Sequence, residues 1–187
     1  FRSLYNISVE ALENRRKSWY GLSGRSPSSL LYSAIHLLEI AIRELKRMRK
    51  IADEHAERFS SEGLKTFFAM LQRELDDAFF DDVREHLRVL RFRDGVLLSV
   101  DLGRGNEGTA HTLRRPSDDR RSWFKRILAK TPPVYSFRIA ERDEGGAKIL
   151  SSLANKGVNL VANALAQSVD HIDGFFRELR TELAFYI

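Results

Sequence analysis

Cysteine is missing from all 187 residues. Its absence excludes disulfides and every zinc site built on thiolates, and fits a reducing compartment. Proline (4) and glycine (11) are scarce, which argues against collagen-like or low-complexity sequence and suits a helix-rich chain. No apolar run approaches the ~20 residues that a membrane span needs. No secretory leader is evident either, because Arg2, Asn6 and Glu10 interrupt the opening stretch. These absences point to a cytoplasmic protein that does not enter membranes. The start at Phe1 and the stop at Ile187 interrupt running patterns, so an excised piece of a longer chain is expected. Charge of one sign is also lacking overall, with 31 Lys+Arg against 26 Asp+Glu and a net +5. Where the cations lie therefore matters more than how many there are.

What is present is 43% hydrophobic residues, enough for a core in one domain or two small ones. Residues 1–29 read as a mixed opening with a short helix near 8–19 and a Gly/Ser turn. A strong helix start follows: Ser26 can cap, and Pro27 sits where a missing N–H costs nothing. Leu31, Ile35, Leu38, Ile42 and Leu45 then recur at steps of four and three, a stripe that must be buried. The pattern runs to about Arg58, roughly 45 Å at helical rise, and antiparallel packing is the natural way to cover it. Leu64, Phe67, Phe68, Leu71 and Leu75 predict a second helix. Asp76-Asp77 look like the cap of a third, with Phe79, Phe80, Val83 and Leu87 facing inward.

At Val89 the apparent period changes to two. Val89-Leu90-Arg91-Phe92-Arg93, the turn dipeptide Asp94-Gly95 and Val96-Leu97-Leu98-Ser99-Val100 together predict a hairpin. Residues 103–108 form a Gly-rich loop, and 109–113 and 134–139 read as further strands. From Ile149 through Leu153, Val158, Leu165, Val169, Ile172, Phe176, Leu179 and Leu183, helical spacing returns to the end. Gly157 and Gly174 inside it mark kinks or close contacts. The fold class expected is mainly α with a small β insertion: long antiparallel, lever-like helices carrying a small antiparallel β subdomain. The division expected is 1–29, an N-terminal segment; 30–88, helical core; 89–141, β insertion; and 142–187, a long returning helix. The helices on either side of the insertion should pack together, since neither can bury its stripe alone.

Catalytic constellations are weak. Asp77 and Asp81 share a helix face, and with Asp82 they offer a metal-dependent hydrolase reading. A capped, solvated helix start is the better account, because no third ligand stands at suitable spacing. The five His residues (36, 55, 86, 111 and 171) form no i,i+4 pair. His36 reads as a packed or partly wet residue, and His171 with Asp173 is too sparse for a nucleophilic relay. The Gly103–Gly108 loop lacks the Lys-Ser/Thr ending of a nucleotide loop and reads as a flexible strand connection. No catalytic residue and no metal site are assigned.

The strongest charge feature is local. Arg104, Arg114, Arg115, Arg120, Arg121, Lys125, Arg126 and Lys130 stand against only Glu107, Asp118 and Asp119, so one short stretch carries a net +5, equal to that of the whole chain. Trp123-Phe124 lie within it. Cations interleaved with aromatics on a β element suit contact with phosphates and bases; a solvated loop whose aromatics plug the core is the competing account. A second cluster, Arg43, Lys46, Arg47, Arg49 and Lys50, points several ways around its helix and reads as mostly solvated.

The order of elements, with the 90–100 β excursion and the closing helix through Asp170-His171-Ile172-Asp173-Gly174-Phe175-Phe176, resembles the middle region of MutS-family DNA mismatch-repair ATPases, and more closely their divergent MutS-like members. The resemblance spans about residues 30–187. It implies levers, a DNA-touching clamp and a C-terminal ATPase beyond this chain. ATP and Mg²⁺ would then be cofactors of the parent protein, with none in this fragment. The parent would be a homodimer, and its partner would be double-stranded DNA held by its backbone. The chain itself has no Gly-x-x-x-x-Gly-Lys-Ser/Thr loop, so no nucleotide site and no enzyme activity are expected of it. The family's mismatch-reading Phe-x-Glu belongs to another domain; Phe176-Arg177-Glu178 shares the spelling on an inward-facing helix and is a coincidence. The function expected is thus a non-catalytic lever and clamp module. The alternative is a helical protein-interaction scaffold without nucleic-acid binding.

Overall fold

The computed structural model describes residues 1–19, 26–93, 95–106, 108–114 and 143–187. Its elements are α1 (Arg2–Trp19), α2 (Pro27–His55), α3 (Glu62–Glu74), α4 (Asp77–Leu90), β1 (Leu97–Leu102), β2 (Gly108–Arg114) and α5 (Glu144–Ala184). The fold is mainly α with a small antiparallel β insertion, as the periodicity predicts. Chain contacts divide it into a unit of Phe1–Asp94 with Asn159–Ile187 and a unit of Gly95–Val158. The helical α5 supplies residues to both.

The helical unit is built on α2. Ser26 caps it by accepting the Ser29 amide at 3.2 Å, with Pro27 in the first turn. Leu31, Ala34, Ile35, Leu38, Leu45, Met48 and Ala52 are all buried along one stripe. A short 3₁₀ turn, Ala56–Arg58, ends it. The chain then returns along α2 in two pieces. Gln72 of α3 reaches Ala52 and Asp53, Lys46 lies over the Phe80 ring, and Arg91 meets Glu39. The break between the pieces is held from both sides. Arg49 donates to the Leu75 carbonyl at 2.8 Å, and the Asp76 carboxylate accepts the Phe79 amide at 2.7 Å. Each satisfies a backbone group that a helix end leaves unpaired. Phe80 and Leu87 face inward as expected, but Phe79 is more than one-third exposed, at 37%.

The antiparallel partner of the long helices is α1. Phe1 lies against Phe59 and Tyr186, whereas Glu10 pairs with Arg47 and Arg15 with Asp170 and Asp173. Helix α1 therefore runs opposite to α2 and also to the C-terminal half of α5, and those two run the same way. Leu37, Ile40 and Ala41 share a small cavity lining with Val169, Ile172 and Phe176, so the helices before and after the insertion do pack together. The core that results includes Leu4, Ile7, Met48, Phe68, Leu71, Phe80, Phe176 and Leu183. Its ionic stitching includes pairs between residues far apart in the chain, Arg15 with Asp170 and Asp173, Arg47 with Glu10, and Arg91 with Glu39. Glu10 and Glu44 hold the Arg47 guanidinium above its ordinary value, Glu10 by its hydrogen bond above all, and Glu39 does the same for Arg91.

Two further sequence expectations change. Helix α1 begins at Arg2, six residues before the predicted start. Val89-Leu90 continue α4, because Phe80, Val83, Leu87 and Leu90 keep helical steps and Arg88 forks onto Glu85. No strand forms over Val89–Arg93, so the predicted hairpin about Asp94-Gly95 is replaced by a link from helix to strand. Gly95 does take the left-handed conformation, at φ 98°. The predicted strand at 134–139 lies outside the described residues.

Candidate nucleic-acid interface

The unit Gly95–Val158 presents a two-stranded ribbon, with β1 and β2 antiparallel: Leu97 faces Arg114, Leu98 faces Leu113, and Leu102 faces Gly108. The connection runs through a 3₁₀ turn, Arg104–Asn106, in which Gly105 has φ 76°. That left-handed geometry is natural for glycine. The register shifts between Ser99 and Asp101, and Ala110 opposite takes φ 47°. This is a bulge that twists the ribbon. On one face, Leu98 rests on Gly157 of α5 so closely that a Cβ there would collide with the leucine. That close contact is what the glycine inside the last helical pattern provides. Val100 crowds Gly108 in the same way.

Of the eight cations singled out, Arg104 and Arg114 are in the described residues, and both are exposed. Arg115, Arg120, Arg121, Lys125, Arg126 and Lys130 lie outside them. Arg104 stands in the connection and Arg114 at the opposite end of the ladder, about 17–20 Å apart by strand rise. They cannot grip one phosphate together, so each would meet a different one. Arg114 is oriented by its own sheet: its Nε donates to Ser99 Oγ on the neighbouring strand at 2.9 Å. Two further exposed cations of this unit, Lys148 and Lys156, come from α5. Sequence reasoning passed over them because they lie beyond the basic stretch in the chain. The only clue was Gly157, which marks where the ribbon touches the helix.

The competing chemistry is accounted for elsewhere. Asp76 caps α4, Asp81 pairs with Arg84 at 2.8 Å, and no group of three metal-ligating side chains occurs among the described residues. Asp173 is buried and bound by Arg15 and Arg177, while His171 beside it and His36 are exposed. Phe176 is buried, as its inward reading requires. No helix among the described residues is long and apolar enough to cross a membrane.

No curated protein and no solved structure matches the chain. A family model does, the MutS2 N-terminal domain, and it matches residues 1–187. The match places the resemblance in the MutS2 branch and in an N-terminal domain, where a middle region of MutS was expected. From residue 1 to residue 187, the chain belongs to the MutS2 N-terminal domain family.

Proposed function

We propose that this domain is a non-catalytic lever and clamp module of a MutS-like ATPase, which contacts the backbone of double-stranded DNA and couples that contact to the parent protein's ATPase. The observation that carries the proposal is the placement of the charge. The stretch from Arg104 to Lys130 holds as much net positive charge as the whole chain. Its two described cations face solvent, in a unit whose buried positions among the described residues are Gly157 and Val158 of α5. Arg104, Arg114, Arg115, Arg120, Arg121, Lys125, Arg126 and Lys130 would each neutralise a phosphate. Such contacts fix position and strengthen binding without reading sequence. The helical unit suits transmission, since packed rigid elements carry a two-state change over tens of Å. ATP and Mg²⁺ act in the parent's ATPase. The parent works as a homodimer in the cytoplasm, and mismatch repair is one process in which such a module serves.

The test is binding of a short duplex at low salt, compared with Arg120→Ala/Arg121→Ala and with Arg104→Ala/Arg114→Ala. The clamp reading expects measurable affinity that each double variant weakens severalfold. Undetectable binding, or affinity unchanged by both variants, leaves the helical scaffold reading in its place.

A further inference from the structure

The second basic cluster resolves into two groups. Arg47 is held by Glu10 and Glu44, Arg49 by Asp53 and the Leu75 carbonyl, and Lys50 by Glu54. Arg43 and Lys46 have no carboxylate within ion-pair distance among the described residues. Both line a groove between α2 and α4 of about 230 Å³, whose other walls are Glu39, Ile42, Phe80, Arg84 and Leu87. Lys46 Nζ stands 4.8 Å from the Phe80 ring centroid. Phe80 and Leu87 are buried, so the floor is apolar while the rim is cationic. The rim's one acid, Glu39, is already bound by Arg91 Nη2 at 2.6 and 2.7 Å, and Arg84 is matched by Asp81. Among the described residues, the two rim charges without a carboxylate partner are therefore Arg43 and Lys46.

We propose that this groove docks an acidic amphipathic helix of a protein partner. One apolar side chain would enter over Ile42, Phe80 and Leu87, and flanking Glu or Asp residues would meet Arg43 and Lys46. Three observations choose this occupant. The volume is below the ~300 Å³ at which small-molecule pockets begin, and fits one or two side chains. The cationic rim alone would also suit a phosphate, but the apolar floor rewards a hydrocarbon anchor that a phosphate lacks. The unmatched charge at the rim is positive, so a complementary partner is acidic.

The test uses designed helical peptides of about 15 residues with Leu or Phe at helical spacing, flanked by Glu in one peptide and by Lys in the other. The readouts are titration calorimetry and the methyl NMR shifts of Ile42 and Leu87, with a short DNA duplex as the third ligand. The proposal expects the Glu peptide to bind at least about tenfold tighter than the Lys peptide and to shift both methyls. Arg43→Glu/Lys46→Glu should remove about tenfold of that affinity, and Arg43→Ala/Lys46→Ala a smaller part in the same direction. Circular dichroism checks that both variants keep the native helix content. Equal binding of the two peptides, no binding of the Glu peptide, or methyl shifts produced by the duplex and not by the peptide would each overturn it. The duplex result in the ribbon variants reports on the clamp separately, because those substitutions leave Arg43 and Lys46 in place.

Discussion

In the unit of Phe1–Asp94 and Asn159–Ile187, Phe68, Met48 and Ala52 have no solvent exposure, and Leu4, Ile7, Leu71 and Phe176 have almost none. In the unit of Gly95–Val158, only Gly157 and Val158 are buried among the described residues, while Leu97, Val100, Ile149 and Leu150 are exposed. The first is held by an apolar core and by ion pairs between residues far apart in the chain, such as Arg15 with Asp170 and Arg91 with Glu39. Among its described residues, the second holds a two-stranded ladder with a bulge, seated on the first turns of α5 through Leu98 and Gly157, and a hairpin alone has marginal stability in water. The comparison teaches a division of labour. Among the described residues, burial and ionic stitching are concentrated in the first unit, whereas the second exposes Arg104, Arg114, Lys148 and Lys156.

The most damaging change should fall on the core. Phe68 is fully buried and stacked on Phe59 at 5.1 Å between centroids. Phe68→Ala is expected to cost about 3–5 kcal/mol, measured by urea unfolding. A cost below about 1 kcal/mol would mean that the helical unit is not the stability centre. Next comes the ionic stitch between α1 and α5. The Asp173 side chain is 5% exposed and bound by Arg15 and Arg177. Among the described residues, Arg15→Ala leaves it the exposed Arg177 alone and should cost about 2 kcal/mol. The same assay checks this, and an unchanged midpoint would remove α1 from the stitching. The smallest effect separates the two units within one helix. At Gly174 a Cβ meets nothing within 4 Å, whereas at Gly157 it meets Leu98. Gly174→Ala should stabilise by about 0.5–1 kcal/mol from helix propensity. Gly157→Ala should bring no gain or a net destabilisation, because overpacking offsets the propensity. Equal stabilisation at both positions would show that the ribbon does not rest on α5.

The helices were legible because their stripes are long. Leu31 to Ala52 supplies more than five turns of consistent apolar spacing, and Ser26-Pro27 marks its start. The start of α1 was hidden by Ser8, a polar residue on the buried face. Its hydroxyl is satisfied by the Leu4 carbonyl at 3.0 Å, so a break in the hydrophobic pattern is not a break in the helix. Residues 89–93 misled in the opposite direction. Five alternating residues beside Asp94-Gly95 match a hairpin, but two of them extend a helical stripe already established by Phe80 and Leu87. The dipeptide still marked a real change of backbone conformation, with Gly95 at φ 98°; only the elements it joins were misread. Of the candidate interface, the charge was legible by counting. The spacing of Arg104 and Arg114 and the addition of Lys148 and Lys156 were not, because they depend on which strand pairs with which and on the seat of Leu98 against Gly157.

The central claim is that the cations of the Arg104–Lys130 stretch neutralise DNA phosphates, and the salt dependence of duplex binding tests it most directly. A plot of log Kobs against log salt should fall linearly. Arg120→Ala/Arg121→Ala should flatten the slope by about 2, close to one for each phosphate that is no longer neutralised. A slope near zero in the unmodified chain, or the same slope with and without those arginines, would contradict the account.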